Sequence, residues 1–268
     1  MTEKIKLYDA SKCTACRGCQ LACKQWNGLK AHQTVHKGTY QNPPTLGPNT
    51  FMLIHYQDYV DPKGNVKWLF RKEACMHCTN AACVTVCPSG ALYYNKELKT
   101  VGMDREKCIG CQECTAACPF EIPRYDSKAD KVFKCDMCES RISNGLDPAC
   151  VKACPTGALK FGDKDKMMAI AEGRKKFLGE GASIYGDKLV GGTHFMYVLN
   201  EDPAVYEGLK KDPKVPLSIT VWKSLLKPLS LLAAGGIVGG SLLHYVLHGP
   251  KRPKPEDQQD DKKQGGAV

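Results

Sequence analysis

From Pro228 to His248 the chain reads PLSLLAAGGIVGGSLLHYVLH, twenty-one residues without a formally charged side chain. As a helix rising 1.5 Å per residue this run is about 31 Å long, enough to cross the hydrocarbon core once. The pattern predicts one transmembrane helix over 221–248. Trp222 and Tyr245 stand near its ends, where amphipathic rings favour the interface, and Lys223, Lys227, Lys251 and Arg252 can reach head groups. Gly235 and Gly239, with Gly236 and Gly240, put small residues on one face, which suits close approach of a partner helix. His244 and His248 fall in the last turns and read as interfacial residues rather than haem ligands. The stretch beyond, KRPKPEDQQDDKKQGGAV, is too poor in apolar residues to pack and predicts a disordered tail over 249–268.

Before the anchor the apolar positions come in short runs. Phe51 to Tyr59 and Val66 to Phe70, after the Pro- and Gly-bearing loop Gln41 to Pro48, predict two strands of a hairpin. Lys164 to Leu178 reads as a helix, His194 to Leu199 as a strand after Gly191-Gly192, and a short helical stretch starts at Pro203. One segment occurs twice, as Pro88-Ser-Gly-Ala-Leu92 and as Pro155-Thr-Gly-Ala-Leu159, each time before a short strand-like run. Short helices and strands in this mixture predict an α+β fold.

Cysteine changes this picture most. The chain has 268 residues and 16 cysteines, and they fall into four clusters: Cys13, Cys16, Cys19 and Cys23; Cys75, Cys78, Cys83 and Cys87; Cys108, Cys111, Cys114 and Cys118; Cys135, Cys138, Cys150 and Cys154. The first and third read C-x2-C-x2-C-x3-C, the spacing in which three thiolates hold one 4Fe-4S core and the fourth reaches a neighbouring one. Proline follows Cys87, Cys118 and Cys154, turning the chain away from the motif. Zinc sites use separated ligand pairs, often with histidine, and a chain of this size with 43% hydrophobic residues does not need disulfides to fold. The sixteen cysteines therefore read as iron ligands of four 4Fe-4S clusters, with Met76 and His77 as spacers, since a Rieske-type site needs two histidines on one iron.

Charge is then reinterpreted. The formal net charge of +10 counts every cysteine as neutral. Four thiolate-bound cores contribute about −8 and bring the sum to about +2, so the excess lysine reads as counter-charge and nucleic-acid binding is not expected. The opening Met1-Thr-Glu-Lys-Ile-Lys-Leu-Tyr-Asp has neither an apolar core nor a twin arginine, so the expectation is that the chain has no export signal of its own. The sequence contains no nucleophile elbow, phosphate-binding loop or dinucleotide fingerprint, and predicts no substrate chemistry.

Two-cluster units require motifs that exchange their fourth cysteines. Motifs two and three are consecutive and form unit B, residues 75–118. Motifs one and four form unit A, residues 1–74 and 119–160, with unit B inserted and residues 24–74 carrying the hairpin. Residues 161–220 then read as a packing and docking segment. In this scheme Cys13, Cys16, Cys19 and Cys154 hold one cluster, and Cys23, Cys135, Cys138 and Cys150 the next. Cys75, Cys78, Cys83 and Cys118 hold the third, and Cys87, Cys108, Cys111 and Cys114 the fourth. Pairing one with two and three with four also satisfies the spacing.

The four clusters, the inserted unit, the segment Val190-Gly-Gly-Thr-His-Phe-Met-Tyr-Val-Leu199 and the anchor start Trp222-Lys-Ser-Leu-Leu-Lys-Pro228 resemble the iron-sulfur beta subunit of membrane-bound formate dehydrogenases. Cys111 stands where nitrate reductase beta subunits carry tryptophan, so the resemblance supports four complete 4Fe-4S clusters. It implies two interlocked ferredoxin-like units with one C-terminal transmembrane helix. It also implies a molybdopterin-containing catalytic alpha subunit, with molybdenum or tungsten, that oxidises formate, and a membrane cytochrome b gamma subunit that passes electrons to quinone. The implied location is the cytoplasmic membrane, with the cluster domain on the periplasmic face. Alternatives are the ferredoxin-like subunit of a membrane hydrogenase or of a polysulfide or thiosulfate reductase, a zinc-bearing membrane adaptor, and an iron-sulfur redox sensor, for which the chain lacks an output domain.

Overall fold

A computed structural model describes residues 3–31, 33–36 and 38–249. The chain divides into two compact units that meet at Pro216 and Leu217. The first is built on a sheet whose central strand is β1, Lys4–Asp9. Alternation along β1 turns Ile5 and Leu7 to one face and Lys6 and Tyr8 to the other, and all four are at most 1% exposed.

After β1 come helix α1 (Gly18–Trp26) and the hairpin of β2 (Met52–Val60) and β3 (Val66–Ala74). Asp61 closes the hairpin turn by accepting from the backbone N–H groups of Lys63 and Asn65 at 2.9 and 2.8 Å. This matches the two predicted strands, with the second extended by four residues to Ala74 because its final positions are buried. Helix α2 (Ala82–Val86) leads to the hairpin β4 (Leu92–Asn95) and β5 (Thr100–Met103), and helix α3 (Glu113–Ala117) to the hairpin β6 (Arg124–Asp126) and β7 (Lys131–Phe133). The short helices α4 (Glu139–Ile142) and α5 (Ala149–Lys152) precede β8 (Leu159–Asp163). Helix α1 packs on α5, and α2 on α3.

Helix α6 (Lys164–Leu178) coincides with its predicted span. Its first turn holds Asp165 and its last turn Lys175 and Lys176, each complementing the helix dipole, and Gly179 ends it at a φ of 79° that favours glycine. Met167 and Ala171, four apart, bury its inner face against Ile5, Leu7, Met196 and Val198. The remaining strands are β9 (Ser183–Tyr185) and β10 (Phe195–Leu199), and the sheet order is β8-β1-β10-β9. β10 runs parallel to β1 and β8 antiparallel to it. Residues 161–220, expected to form packing and docking surface, thus also supply an entirely buried strand at the centre of the sheet. The opposite sheet face, with Tyr8, Phe195, Tyr197 and Leu199, packs into the cluster of buried residues that contains Cys19, Cys23, Cys75, Cys135 and Cys150, with Cys13, Cys78, Cys118 and Cys154 packed against it.

In the second unit α7 (Leu217–Val221) passes through a widened turn, Trp222–Leu226, into α8 (Lys227–His248), with Pro228 in its first turn. The helix has 22 residues and a mean hydropathy of 1.5 over its most apolar stretch, long and apolar enough to cross a membrane. A methyl group added at Gly235, Gly236, Gly239 or Gly240 would meet nothing within 4 Å, so the small-residue face is open to a neighbour. The tail from 250 on, with Lys251 and Arg252, lies outside the described residues.

Candidate metal centres

Each cysteine motif is bent at the same place. The residue before the second cysteine is left-handed in all four: Ala15 (φ 52°), His77 (49°), Gly110 (68°) and Met137 (64°). Such a residue aims successive N–H groups into one concavity, which favours negative charge there. The N–H groups of Ala15 and Met137 accordingly donate to the Sγ atoms of Cys13 and Cys135, at 3.4 and 3.3 Å. Only one motif uses glycine, and there a Cβ would lie 2.7 Å from the Asp130 carbonyl oxygen. Arg17 (φ 61°) and Gln112 (φ 60°), each following the second cysteine of its motif, then start α1 and α3 in the same way.

The repeated Pro-Ser/Thr-Gly-Ala-Leu segment has one geometry in both copies. The N–H groups of Leu92 and Leu159 donate to Cys87 Sγ and Cys154 Sγ, both at 3.4 Å, with the Ser89 and Thr156 hydroxyls at 3.7 and 3.8 Å from the same sulfurs. Burial pushes both thiols up, but these hydrogen bonds prevail and hold them below the ordinary thiol value.

No disulfide joins any of the sixteen cysteines, and the fold gathers them across motifs. Cys13, Cys16 and Cys19 line a small cavity, partly open to solvent, together with Cys154. Cys87 lines another with Cys108, Cys111 and Cys114. Cys23 lies within electrostatic reach of Cys135, Cys138 and Cys150, and Cys78 within reach of Cys75, Cys83 and Cys118. Sets neighbour one another in a line. Cys19 and Cys23 share α1, Cys135 is within reach of Cys75, and Cys83 of Cys114. The two exposed cysteines, Cys16 and Cys111, belong to the sets at the two ends.

Donor chemistry in these sets suits a cationic core. Burial, then neighbouring thiolates, push Cys114 up to about 12 and Cys138 to about 11, and Cys23 and Cys78 are raised further. Buried thiolates crowded this way repel one another unless coordinated, and coordination deprotonates them outright. Among the described residues no three His, Cys, Asp or Glu side chains are arranged to hold a single metal ion; the thiols instead surround spaces. The Nδ1 of His77, between Cys75 and Cys78, accepts from the Val101 N–H at 3.2 Å.

Sequence reading passed over the buried lysines. Lys6, Lys72 and Lys134 are at most 3% exposed. The Lys72 ammonium donates to Cys19 Sγ at 3.0 Å, and the Lys134 ammonium to the carbonyls of Val101 and Cys135. Lys6 lies over the Phe195 ring at 3.9 Å with no hydrogen-bond partner.

The 4Fe-4S dicluster domain pattern matches residues 66–164 and, in a second form, residues 12–91. A transmembrane domain described from formate dehydrogenase N matches residues 215–258. The nitrate-inducible formate dehydrogenase iron-sulfur subunit of Escherichia coli is 39% identical over 96% of this chain and 90% of its own length. The formate dehydrogenase iron-sulfur subunit of Haemophilus influenzae is 40% identical over 96% of this chain and 84% of its own. The beta subunit of formate dehydrogenase 2 of Nitratidesulfovibrio vulgaris, which is labelled with cytochrome c-553, is 43% identical over 64% of this chain and 81% of its own. Two dicluster matches and sixteen cysteines fit four 4Fe-4S clusters. With near-complete coverage at this identity, the chain belongs to the family of formate dehydrogenase iron-sulfur subunits, the electron-transfer subunits of those enzymes.

Proposed function

We propose that this subunit carries electrons from a molybdopterin-containing catalytic alpha subunit that oxidises formate to a membrane cytochrome b gamma subunit and quinone. The observation that carries the reading is the line of four thiol sets with an exposed cysteine in each end set. Each 4Fe-4S cluster, when bound, takes up and gives back one electron. The protein holds the sites in order, keeps water from the inner sets and offers N–H donors to the sulfurs. The ligands are Cys13, Cys16, Cys19 and Cys154; Cys23, Cys135, Cys138 and Cys150; Cys75, Cys78, Cys83 and Cys118; and Cys87, Cys108, Cys111 and Cys114. The packing of α1 on α5 and of α2 on α3 supports two interlocked ferredoxin-like units, 1–74 with 119–160 and 75–118, rather than the pairing of motif one with two.

Cys111→Ser tests the assignment. It is expected to convert one cluster to a 3Fe form or to lose it, with the helix still in the membrane. Unchanged iron, sulfide and electron paramagnetic resonance spectrum would refute it. The cluster unit is placed on the periplasmic face, carried across the membrane already folded with a twin-arginine partner, and α8 crosses the membrane beside the gamma subunit. Protease added to intact spheroplasts should cut the cluster unit and spare the tail; the reverse pattern would invert the orientation.

A further inference from the structure

Lys6 sits on the inner strand of the sheet, 0% exposed, on the face turned toward the cysteines. Its ammonium has no hydrogen-bond acceptor within reach, and its near neighbours are the Phe195 ring and the thiols of Cys23, Cys135, Cys138 and Cys150. An ammonium buried without an anionic partner is strongly disfavoured. Lys72, on β3, is 1% exposed and directs its ammonium at Cys19 Sγ. Lys134 differs, because two backbone carbonyls already satisfy it. Among the described residues no buried lysine lines the cavity of Cys87, Cys108, Cys111 and Cys114.

We propose that Lys6 and Lys72 are potential-setting residues, each the fixed counter-charge of one cluster: Lys6 for the one held by Cys23, Cys135, Cys138 and Cys150, and Lys72 for the one held by Cys13, Cys16, Cys19 and Cys154. The inference rests on the ligand sets given above. One-electron reduction adds one negative charge to a cluster and transfers no proton. A nearby ammonium that keeps its proton in both states favours the reduced form and raises the potential. The phenyl face of Phe195 stabilises the Lys6 cation without competing for its charge by hydrogen bonding.

The test is a potentiometric titration, read by electron paramagnetic resonance, of the full-length, cluster-loaded protein and its Lys6→Met and Lys72→Met variants. Each variant is expected to lower one cluster's midpoint at least tenfold in its reduction equilibrium, about 59 mV for one electron. The two variants should act on different clusters and leave the remaining two unmoved. Four unchanged midpoints, or a common shift of all four, at wild-type iron and sulfide content would overturn the inference while leaving the ligand sets intact. Should Lys6→Met lose iron, Lys6→Gln and Lys72→Met are judged by the same criterion. Cys150→Ser reads the ligand sets separately, since unchanged iron, sulfide and spectrum in that variant would refute them whatever the lysines do.

Discussion

Gly110 is the only glycine among the four left-handed residues that precede a motif's second cysteine, and the contact it avoids explains why. Ala15, His77 and Met137 hold the same conformation with a side chain, at a cost of about 1–2 kcal/mol each. At Gly110 a side chain would also press on the Asp130 backbone. Gly110→Ala is therefore expected to destabilise the protein by about 3 kcal/mol, seen as a lower Tm and loss of iron from the site proposed at Cys87, Cys108, Cys111 and Cys114. Glu73 illustrates a different residue-level balance. Burial pushes its carboxyl up, but the hydrogen bond from His55 and the charges of His55, Arg71 and Arg124 prevail and hold it below its usual 4.5. A carboxyl lowered by folding contributes stability above its unfolded value and loses it as pH falls through the folded value. Glu73→Gln should thus cost about 2 kcal/mol near neutrality. The difference in Tm from wild type should shrink as pH drops below 4.5. Spacing alone identified the sixteen cysteines, because coordination demands a fixed residue type at a fixed interval. The buried lysines escaped that reading, because a lysine in a strand looks like a solvent-facing position until its neighbours are known.

Several elements were legible from local pattern. Helix α6 coincides with its predicted span, the hairpin of β2 and β3 lies where alternation put it, and α8 begins one residue before the uncharged run. For α6 and the hairpin the local pattern of apolar positions was enough, and for α8 the length of one uncharged run. The strand β1 was not singled out, although Lys-Ile-Lys-Leu-Tyr-Asp alternates, because both of its faces are buried and one of them carries a lysine. A polar tie to α6 adds to the apolar packing of Ile5 and Leu7 on Met167 and Ala171. The Arg174 guanidinium donates to Asp9 Oδ2 at 2.8 Å and to Ser11 Oγ at 2.9 Å. Asp9 is 5% exposed, so Arg174→Met leaves a buried carboxylate short of its cation. Thermal unfolding should show a loss of about 2 kcal/mol, with the iron content of the folded protein unchanged. The repeated Pro-Ser/Thr-Gly-Ala-Leu segment shows how much a short sequence can dictate. Both copies direct a leucine N–H at the preceding cysteine with the same 3.4 Å geometry, since the turn and its glycine are encoded locally.

At the scale of the whole molecule, the two compact units have different solvents. The first buries its own core and the second exposes α8 along its length. A chain ending at Pro216 should partition into the soluble fraction with its full iron and sulfide content. Loss of the clusters on truncation would show that the anchor is needed for assembly. The sequence by itself determined the number and type of metal centres, the family and the membrane-crossing helix, because each follows from residue types at fixed spacing or from the composition of one contiguous run. Pairing motif one with two and three with four also satisfied the cysteine spacing. Only the tertiary structure brought Cys154 to the cavity of Cys13, Cys16 and Cys19, brought Cys87 to that of Cys108, Cys111 and Cys114, and turned Lys6 and Lys72 toward the thiols. Those relations join residues more than a hundred positions apart in some cases, such as Cys13 with Cys154 and Lys6 with Phe195. They depend on how the sheet and the paired helices close over one another, which no local period encodes.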